Sequence, residues 1–272
     1  MESKLDLEAE YDNRALVPEH VEILPRWEKQ AAEFRAIHPP ETLRYGTAER
    51  NLIDVFRSDD SAARRSPVVL FIHGGYWRGL SKDMFSHMAG GLMAHGLDVA
   101  MPNYTLCPGI DIPGIGEELQ ACCRFLGETQ KRPLMMTGHS AGGHLAAFLC
   151  QKNSVDRLPV PVVAGLGISG VYDLTPMLHV SMNHDLKLDL KTALAASPYF
   201  AAPEPGISFD AWVGSDESDE FLRQSEDFAS KWRENSAHTT YIEIAGANHF
   251  TAVEPLIDQN SLLVKRIAAL AG

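Results

Sequence analysis

Gly138-His139-Ser140-Ala141-Gly142 reads G-x-S-x-G. A serine hydroxyl between two glycines suits nucleophilic attack when the chain turns sharply there. The flanking residues predict that turn. The apolar run PLMMT leads in, and AGGHLAAFLC leads out with the composition of a helix. A strand–turn–helix setting would project the serine oxygen from the end of a sheet. It would lie beside a helix N-terminus, where developing negative charge is favoured. Without those flanks the pentapeptide is a weak signal, because a small-residue turn packing a helix on a sheet uses the same letters.

His73-Gly74-Gly75-Tyr76-Trp77 follows the apolar run VVLFI. Acyl transfer places a negative charge on the carbonyl oxygen of the tetrahedral intermediate, and backbone N–H donors aimed there are worth about 3–4 kcal/mol each. Glycines let such a loop turn consecutive amides inward. By position, the Gly75 and Tyr76 amides are the expected donors, with the Ala141 amide as a third. His73 is expected to anchor the loop by hydrogen bonding. Tyr76 and Trp77 read either as core aromatics or as substrate-facing groups. Trp77 and Tyr104 are the residues expected to touch substrate.

A serine needs a base. Of eleven histidines, His249 follows the apolar run TTYIEIAG in the loop Ala247-Asn248-His249-Phe250. His139 and His144 flank the serine and are expected to point away from it. The base in turn needs an acid to hold its tautomer. The loop after ISFDAWV, Gly214 to Phe221, offers Asp216, Glu217, Asp219 and Glu220. Enzymes with an HGG loop place the acid three residues after a glycine, and that frame selects Glu217. Asp216 is the alternative, since aspartate is the commoner acid. Asp219 and Glu220 suit the first turn of a helix.

Taken together, HGGYW, GHSAGGH, SDESDEFLRQSEDF and ANHF resemble the kynurenine formamidase (arylformamidase) branch of the α/β-hydrolases. That branch is close to the hormone-sensitive-lipase-like esterases. The resemblance runs from about residue 45 to the end of the chain. It implies an α/β-hydrolase fold, a chain order of nucleophile, acid and histidine, and cleavage of an arylformamide or a small ester. In that branch the residue four before the phenylalanine is the acid, which here is again Glu217. A glutamate here departs from the aspartate of animal kynurenine formamidases and adds a methylene to the acid.

These residues need strands and helices to bring them together. Apolar runs of strand length occur at Asn51–Phe56, Val68–Ile72, Leu97–Met101, Leu134–Thr137, Val160–Ile168, Ile207–Val213 and Thr239–Ile244. Several are apolar nearly throughout, as strands buried on both faces are. Helical stretches lie at Ser81–His95, Gly116–Thr129, Ala141–Lys152, Glu217–Asn235 and Asn260–Leu270. Phe221, Ser225, Phe228 and Trp232 mark the face that one of them lays on a sheet. Alternation of this kind predicts an α/β class: a mostly parallel central sheet with helices on both faces, in one domain spanning 1–272. Residues 1–40 form a separate N-terminal helical segment, in which Val21–Ile37 is amphipathic and Pro25 limits where the helix starts. The stretch 172–200, with weak periodicity, is expected as a small cap insertion over the carboxyl ends of the strands.

Composition narrows the function classes. The chain has 272 residues, 45% hydrophobic and 22% charged, which is ordinary for a globular protein. With 24 Lys+Arg against 36 Asp+Glu, the formal charge of −12 repels phosphate backbones and anionic membranes. Cys107, Cys122, Cys123 and Cys150 show no zinc-site spacing and are expected as free thiols in a reducing compartment. The opening MESKLDLEAEYDNR is acidic with no apolar core, unlike a signal peptide, and no run approaches the ~18 residues of a membrane span. The expectation is a cytoplasmic enzyme with a small-molecule partner, no nucleic acid, no membrane, and a homodimer as the possible assembly. Serine chemistry of this kind requires no metal and no organic cofactor. Two other readings compete: a general carboxylesterase or thioesterase with a wider acyl pocket, and a catalytically inactive ligand-binding protein on the same fold.

Overall fold

The computed structural model describes residues 6–60 and 65–272, so the first five residues of the N-terminal segment lie outside the described residues. Among the described residues, eight strands form one sheet in the order β1-β2-β4-β3-β5-β6-β7-β8. They are β1 Glu41–Arg44, β2 Leu52–Phe56, β3 Val68–Ile72, β4 Val99–Pro102, β5 Leu134–His139, β6 Val162–Ile168, β7 Ser208–Gly214 and β8 His238–Ile244. From β4 across to β8 every neighbouring pair is parallel, while β1 and β2 join antiparallel at one edge. The helices are α1 Leu7–Tyr11, α2 Asn13–Leu16, α3 His20–Ile37, α4 Gly90–Ala94, α5 Ile112–Gln130, α6 Ala141–Leu149, α7 Lys152–Val155, α8 Asn183–Leu186, α9 Leu190–Ala196, α10 Asp219–Glu234 and α11 Leu262–Ala271.

Both faces of the sheet are covered, which is why its central strands are apolar throughout. Along β3 the side chains alternate. Val68, Leu70 and Ile72 enter the core beneath α5, α6 and α10, whereas Val69 and Phe71 enter the core beneath α3, α4 and α11. Phe221, Ser225, Phe228 and Trp232 are the buried face of α10, as their spacing predicts. Helix α3 runs through Pro25, contrary to the limit expected. Pro25 and Val21, whose carbonyl loses its partner, both face outward, so water can take the vacated bond. Helix α5 starts four residues before the expected Gly116. Pro113 suits its first turn, and the Asp111 carboxylate accepts from the Gly114 N–H at 2.8 Å. The stretch from Lys82 to Ala89 is a 3-10 helix leading into α4 rather than one continuous α-helix.

The residues from 172 to 200 carry α8, α9 and two short 3-10 turns. They are fastened to α10. Gln224 Oε1 accepts from the Tyr172 and Asp173 amides at 2.7 and 2.8 Å, Trp232 Nε1 donates to the Pro198 carbonyl at 2.9 Å, and Tyr172 stacks on Phe228. All four cysteines are free and buried, and burial pushes the Cys107 thiol up to about 11. No helix among the described residues is long and apolar enough to cross a membrane.

Parallel register decides where function can sit. Ile72 pairs with Gly138, Gly138 with Gly167, Ile168 with Trp212, and Gly214 with Ile244. The loops after β3, β5, β6, β7 and β8 therefore leave the sheet along one rim. Adjacent strands are about 4.8 Å apart, so β8 stands roughly 14 Å from β5. The β8 loop must double back to approach the serine. Asn248 makes that turn, its Oδ1 accepting from the Phe250 and Thr251 amides at 3.0 Å each.

Candidate active site

Ser140 caps the end of β5 with φ 58° and ψ −120°. Left-handed backbone at a non-glycine residue costs about 1–2 kcal/mol, so the surroundings must impose it. They do so by close approach. A Cβ on Gly142 would lie 1.9 Å from the Ile72 carbonyl oxygen, and one on Gly138 would lie 2.4 Å from that of Gly142. Only hydrogen fits at either place. The Ser140 N–H donates to the Ile168 carbonyl at 2.8 Å, tying the turn to the end of β6.

The loop after β3 lies against this turn. Gly75, Tyr76 and Trp77 all have positive φ, at 110°, 49° and 56°. The N–H groups of Gly75, Tyr76 and Ala141 donate to no group among the described residues, and Gly75 and Tyr76 line the same cavity as Ser140. These are the three amides expected from the sequence to meet a developing oxyanion. His73 is fully buried, with Nδ1 2.7 Å from the Gly74 carbonyl oxygen. Burial holds its pKa down at about 4, so the ring is neutral and braces the loop.

His249 and Glu217 meet at the rim, with Nδ1 2.6 Å from Oε2. The carboxylate accepts a hydrogen bond from the imidazole's Nδ1–H, which leaves the Nε2 lone pair free. The other carboxylate oxygen accepts from Ser169 Oγ at 2.5 Å and from the Gly214 N–H at 2.7 Å. The Glu217 side chain is fully buried and all its charge is matched by donors. Asp216 is exposed, and among the described residues its carboxylate accepts only from the neighbouring Ser215 hydroxyl. Ser140 and His249 line one cavity of about 460 Å³, although no hydrogen bond joins Ser140 Oγ to the imidazole.

His139 differs from expectation. It is buried at the site rather than turned away, donating from Nε2 to the His249 carbonyl at 2.7 Å with the two rings 4.8 Å apart. Burial, with His249 beside it, lowers its pKa to about 3. A neutral ring there supports the His249 backbone and adds no positive charge beside its imidazole. His144 does point away, accepting from Trp77 Nε1 and donating to the Ala196 carbonyl.

The two residues expected to touch substrate, Trp77 and Tyr104, do not face the cavity. Trp77 is fully buried, because its positive φ turns the indole down onto His144 behind the loop. Tyr104 is equally buried, stacked on His73 at 4.4 Å, with its hydroxyl donating to the His73 carbonyl. Both stiffen the loop from beneath. The wall is built instead by Tyr11, Asn13 and Arg14 of the N-terminal segment, by Trp27, Tyr76, Arg78 and Phe250, and by Met182 and Asp185 of the 172–200 stretch. Ser169 was not among the residues singled out by sequence. It follows β6 with φ 53°, and only its place at the rim marks it.

Comparisons with known proteins agree with the fold. The family pattern for the α/β-hydrolase fold matches residues 69–253. A kynurenine formamidase from Danio rerio is 29% identical over 236 residues, covering 84% of this chain and 80% of that protein. One from Drosophila melanogaster is 27% identical over 256 residues, covering 89% and 84%. Among solved structures, a protein provisionally described as a thioesterase, from Silicibacter sp. TM1040, superposes with a TM-score of 0.84 at 30% identity, covering 97% of this chain and 99% of that one. A thermostable carboxylesterase cloned from a metagenomic library shares the fold, with a TM-score of 0.72 at 19% identity over 93% of this chain and 97% of that one.

Proposed function

The chain belongs to the α/β-hydrolase family, and from that premise we propose that it is a serine hydrolase that removes a formyl or other small acyl group from an arylamide or ester. The observation that carries this reading is the Glu217–His249 pair, whose imidazole lines one cavity with Ser140, Gly75 and Tyr76, the last two with N–H groups that have no partner among the described residues. His249 Nε2 takes the Ser140 proton as the oxygen attacks the carbonyl carbon. The Gly75, Tyr76 and Ala141 amides receive the charge on the carbonyl oxygen. The imidazolium, held by Glu217, then protonates the leaving amine or alcohol. Water repeats the sequence on the acyl-enzyme and releases formate or another acid.

A formamidase of the N-formylkynurenine type is the favoured form. The kynurenine formamidase relatives support it over most of the chain. So does the cavity wall, which presents charge of both signs to an amino-acid-bearing substrate. Arg14 is exposed there and pairs with no carboxylate among the described residues, while Arg78 pairs with Asp185 at 2.6 Å. The likeness to the Silicibacter protein favours a second reading, a thioesterase or carboxylesterase with the same machinery.

The test compares N-formylkynurenine, p-nitrophenyl acetate, longer esters and acyl thioesters. Faster turnover of the formamide is expected; much slower turnover moves the assignment to the esterase. Ser140→Ala should lower kcat by about 10⁶ and abolish fluorophosphonate labelling. Retained turnover in that variant would remove the serine mechanism altogether.

A further inference from the structure

The N-terminal helices α1 and α2 take no part in the steps above, yet Glu8, Tyr11, Asp12, Asn13 and Arg14 form one wall of the cavity. Two hydrogen bonds from this segment end on a single atom of the HGG loop. Asn13 Nδ2 donates to the Tyr76 hydroxyl oxygen at 2.9 Å, and that hydroxyl donates to the Tyr11 carbonyl at 2.7 Å. The segment is fixed in turn from behind. Tyr11 Oη donates to Glu220 Oε1 at 2.7 Å and accepts from Gln224 Nε2 at 2.7 Å, and the Glu220 N–H donates to the Glu10 carboxylate at 3.0 Å. Glu8 receives both the amide and the hydroxyl of Ser181 from the 172–200 stretch. Tyr11 and Asn13 are both buried.

Tyr76 is one of three successive residues with positive φ, a backbone state that must be held from outside. Its ring is half-buried and its hydroxyl is the atom gripped from two sides. Burial, together with the Glu217 and Asp12 carboxylates, holds the phenol well above its ordinary value, so it stays a donor. We propose that Tyr11 and Asn13 are positioning residues. Acting through the Tyr76 hydroxyl, they hold the Gly75 and Tyr76 amides on the line to the reacting carbonyl oxygen. The proposal rests on the serine-hydrolase reading. It extends the working site into a segment that carries no motif, and it links the oxyanion loop to α10, which begins two residues after Glu217.

Tyr76→Phe keeps the ring and removes the gripped atom, and Asn13→Ala removes one of the two partners. With a small ester, kcat should fall about 10-fold in Tyr76→Phe and less in Asn13→Ala, with KM nearly unchanged. Affinity for an alkylboronic acid, which forms a tetrahedral adduct on the serine, should fall by the same factors. Binding of unreacted substrate, measured in the Ser140→Ala background, should fall by a much smaller factor, which reflects only the place of both side chains in the cavity wall. The double variant should be no worse than Tyr76→Phe alone, because both act through one hydroxyl. A lowered melting midpoint with unchanged kcat and unchanged boronate affinity would make the contact merely structural and overturn the proposal. Should Tyr76→Phe fail to fold, Asn13→Ala decides by the same boronate measurement. Failure of the underlying mechanism would read differently, as turnover surviving in Ser140→Ala.

Discussion

On one side of the cavity, the HGG loop and the serine turn meet almost entirely by shape. Gly138, Gly142 and Ile72 approach so closely that a single methyl cannot enter. On the other side a glycine again brings two loops together, Gly214 against the Ala247 carbonyl. Glu217 and His249 themselves, however, are held by hydrogen bonds: to each other, from Ser169 and the Gly214 N–H to the carboxylate, and from His139 to the His249 carbonyl. Asn248 fixes the turn of the His249 loop by accepting from the Phe250 and Thr251 amides. The two sides do equivalent work, since each fixes reactive groups at a rim where the chain would otherwise relax. They differ in how they fail. Steric fit is all or none, because overlap with a backbone carbonyl rises steeply. Hydrogen bonds can be removed one at a time, each at a modest cost of about 0.5–1.5 kcal/mol, or about 1.5–3 kcal/mol when one partner is charged.

The sharpest way to break the contrast is Gly142→Ala. The new methyl would sit 1.9 Å from the Ile72 oxygen, so either β3 and β5 separate at the rim or α6 shifts. Both fold and activity should go together, with a stability loss of order 3 kcal/mol or more. Thermal melting and ester turnover check this on the same sample. A variant that melts normally and turns over substrate would show that the turn is not held by shape.

Glu217→Gln tests the other side. The amide is nearly isosteric, so the change in melting midpoint should be far smaller than for Gly142→Ala. The loss of charge and of the Nδ1–H acceptor should cost about 10²–10⁴ in kcat. Activity falling alone, where the glycine variant loses both, is the signature expected of a hydrogen-bonded region. Ser169→Ala should act in the same direction but only about 10-fold. It removes one of three groups bonded to a carboxylate that keeps the Gly214 N–H and His249.

The same contrast explains what could be read from sequence. Steric necessity leaves a mark in the chain, because glycine is the only residue that satisfies it. G-x-S-x-G and HGG were therefore visible, as were the central strands, whose two-sided burial demands unbroken apolar runs. β1 was not anticipated, because ETLR lies exposed at a sheet edge and needs no apolar residues. The short helices α1 and α2 fall in the segment expected to be helical, but their bounds are not marked in the sequence, because four or five residues carry no periodicity. Ser169 is a serine after a strand, and its role arises only where β6 ends beside β7. Trp77 and Tyr104 misled in the opposite way. Aromatic residues near a reactive loop look like a substrate wall, but here backbone direction sends both into the core. Apart from Tyr76 and Arg78 of the HGG loop, the actual wall comes from segments remote in sequence that share the rim.

The smallest effect should come from Asp216→Asn. In sequence, Asp216 and Glu217 compete as the acid, and aspartate is the usual choice. Geometry separates them by one residue of chain direction. The Asp216 N–H donates to the Ala247 carbonyl, which leaves its side chain outside against Ser215, whereas Glu217 turns inward beneath His249. An exposed carboxylate so placed contributes little field at the imidazole after solvent screening. Replacing it should change kcat less than about 2-fold with a near-normal melting midpoint. A loss as large as that of Glu217→Gln would mean that the loop can exchange the two acids. The extra methylene of Glu217 would then be a matter of reach rather than of identity, and the acid side of the cavity would be held far more loosely than its hydrogen bonds imply.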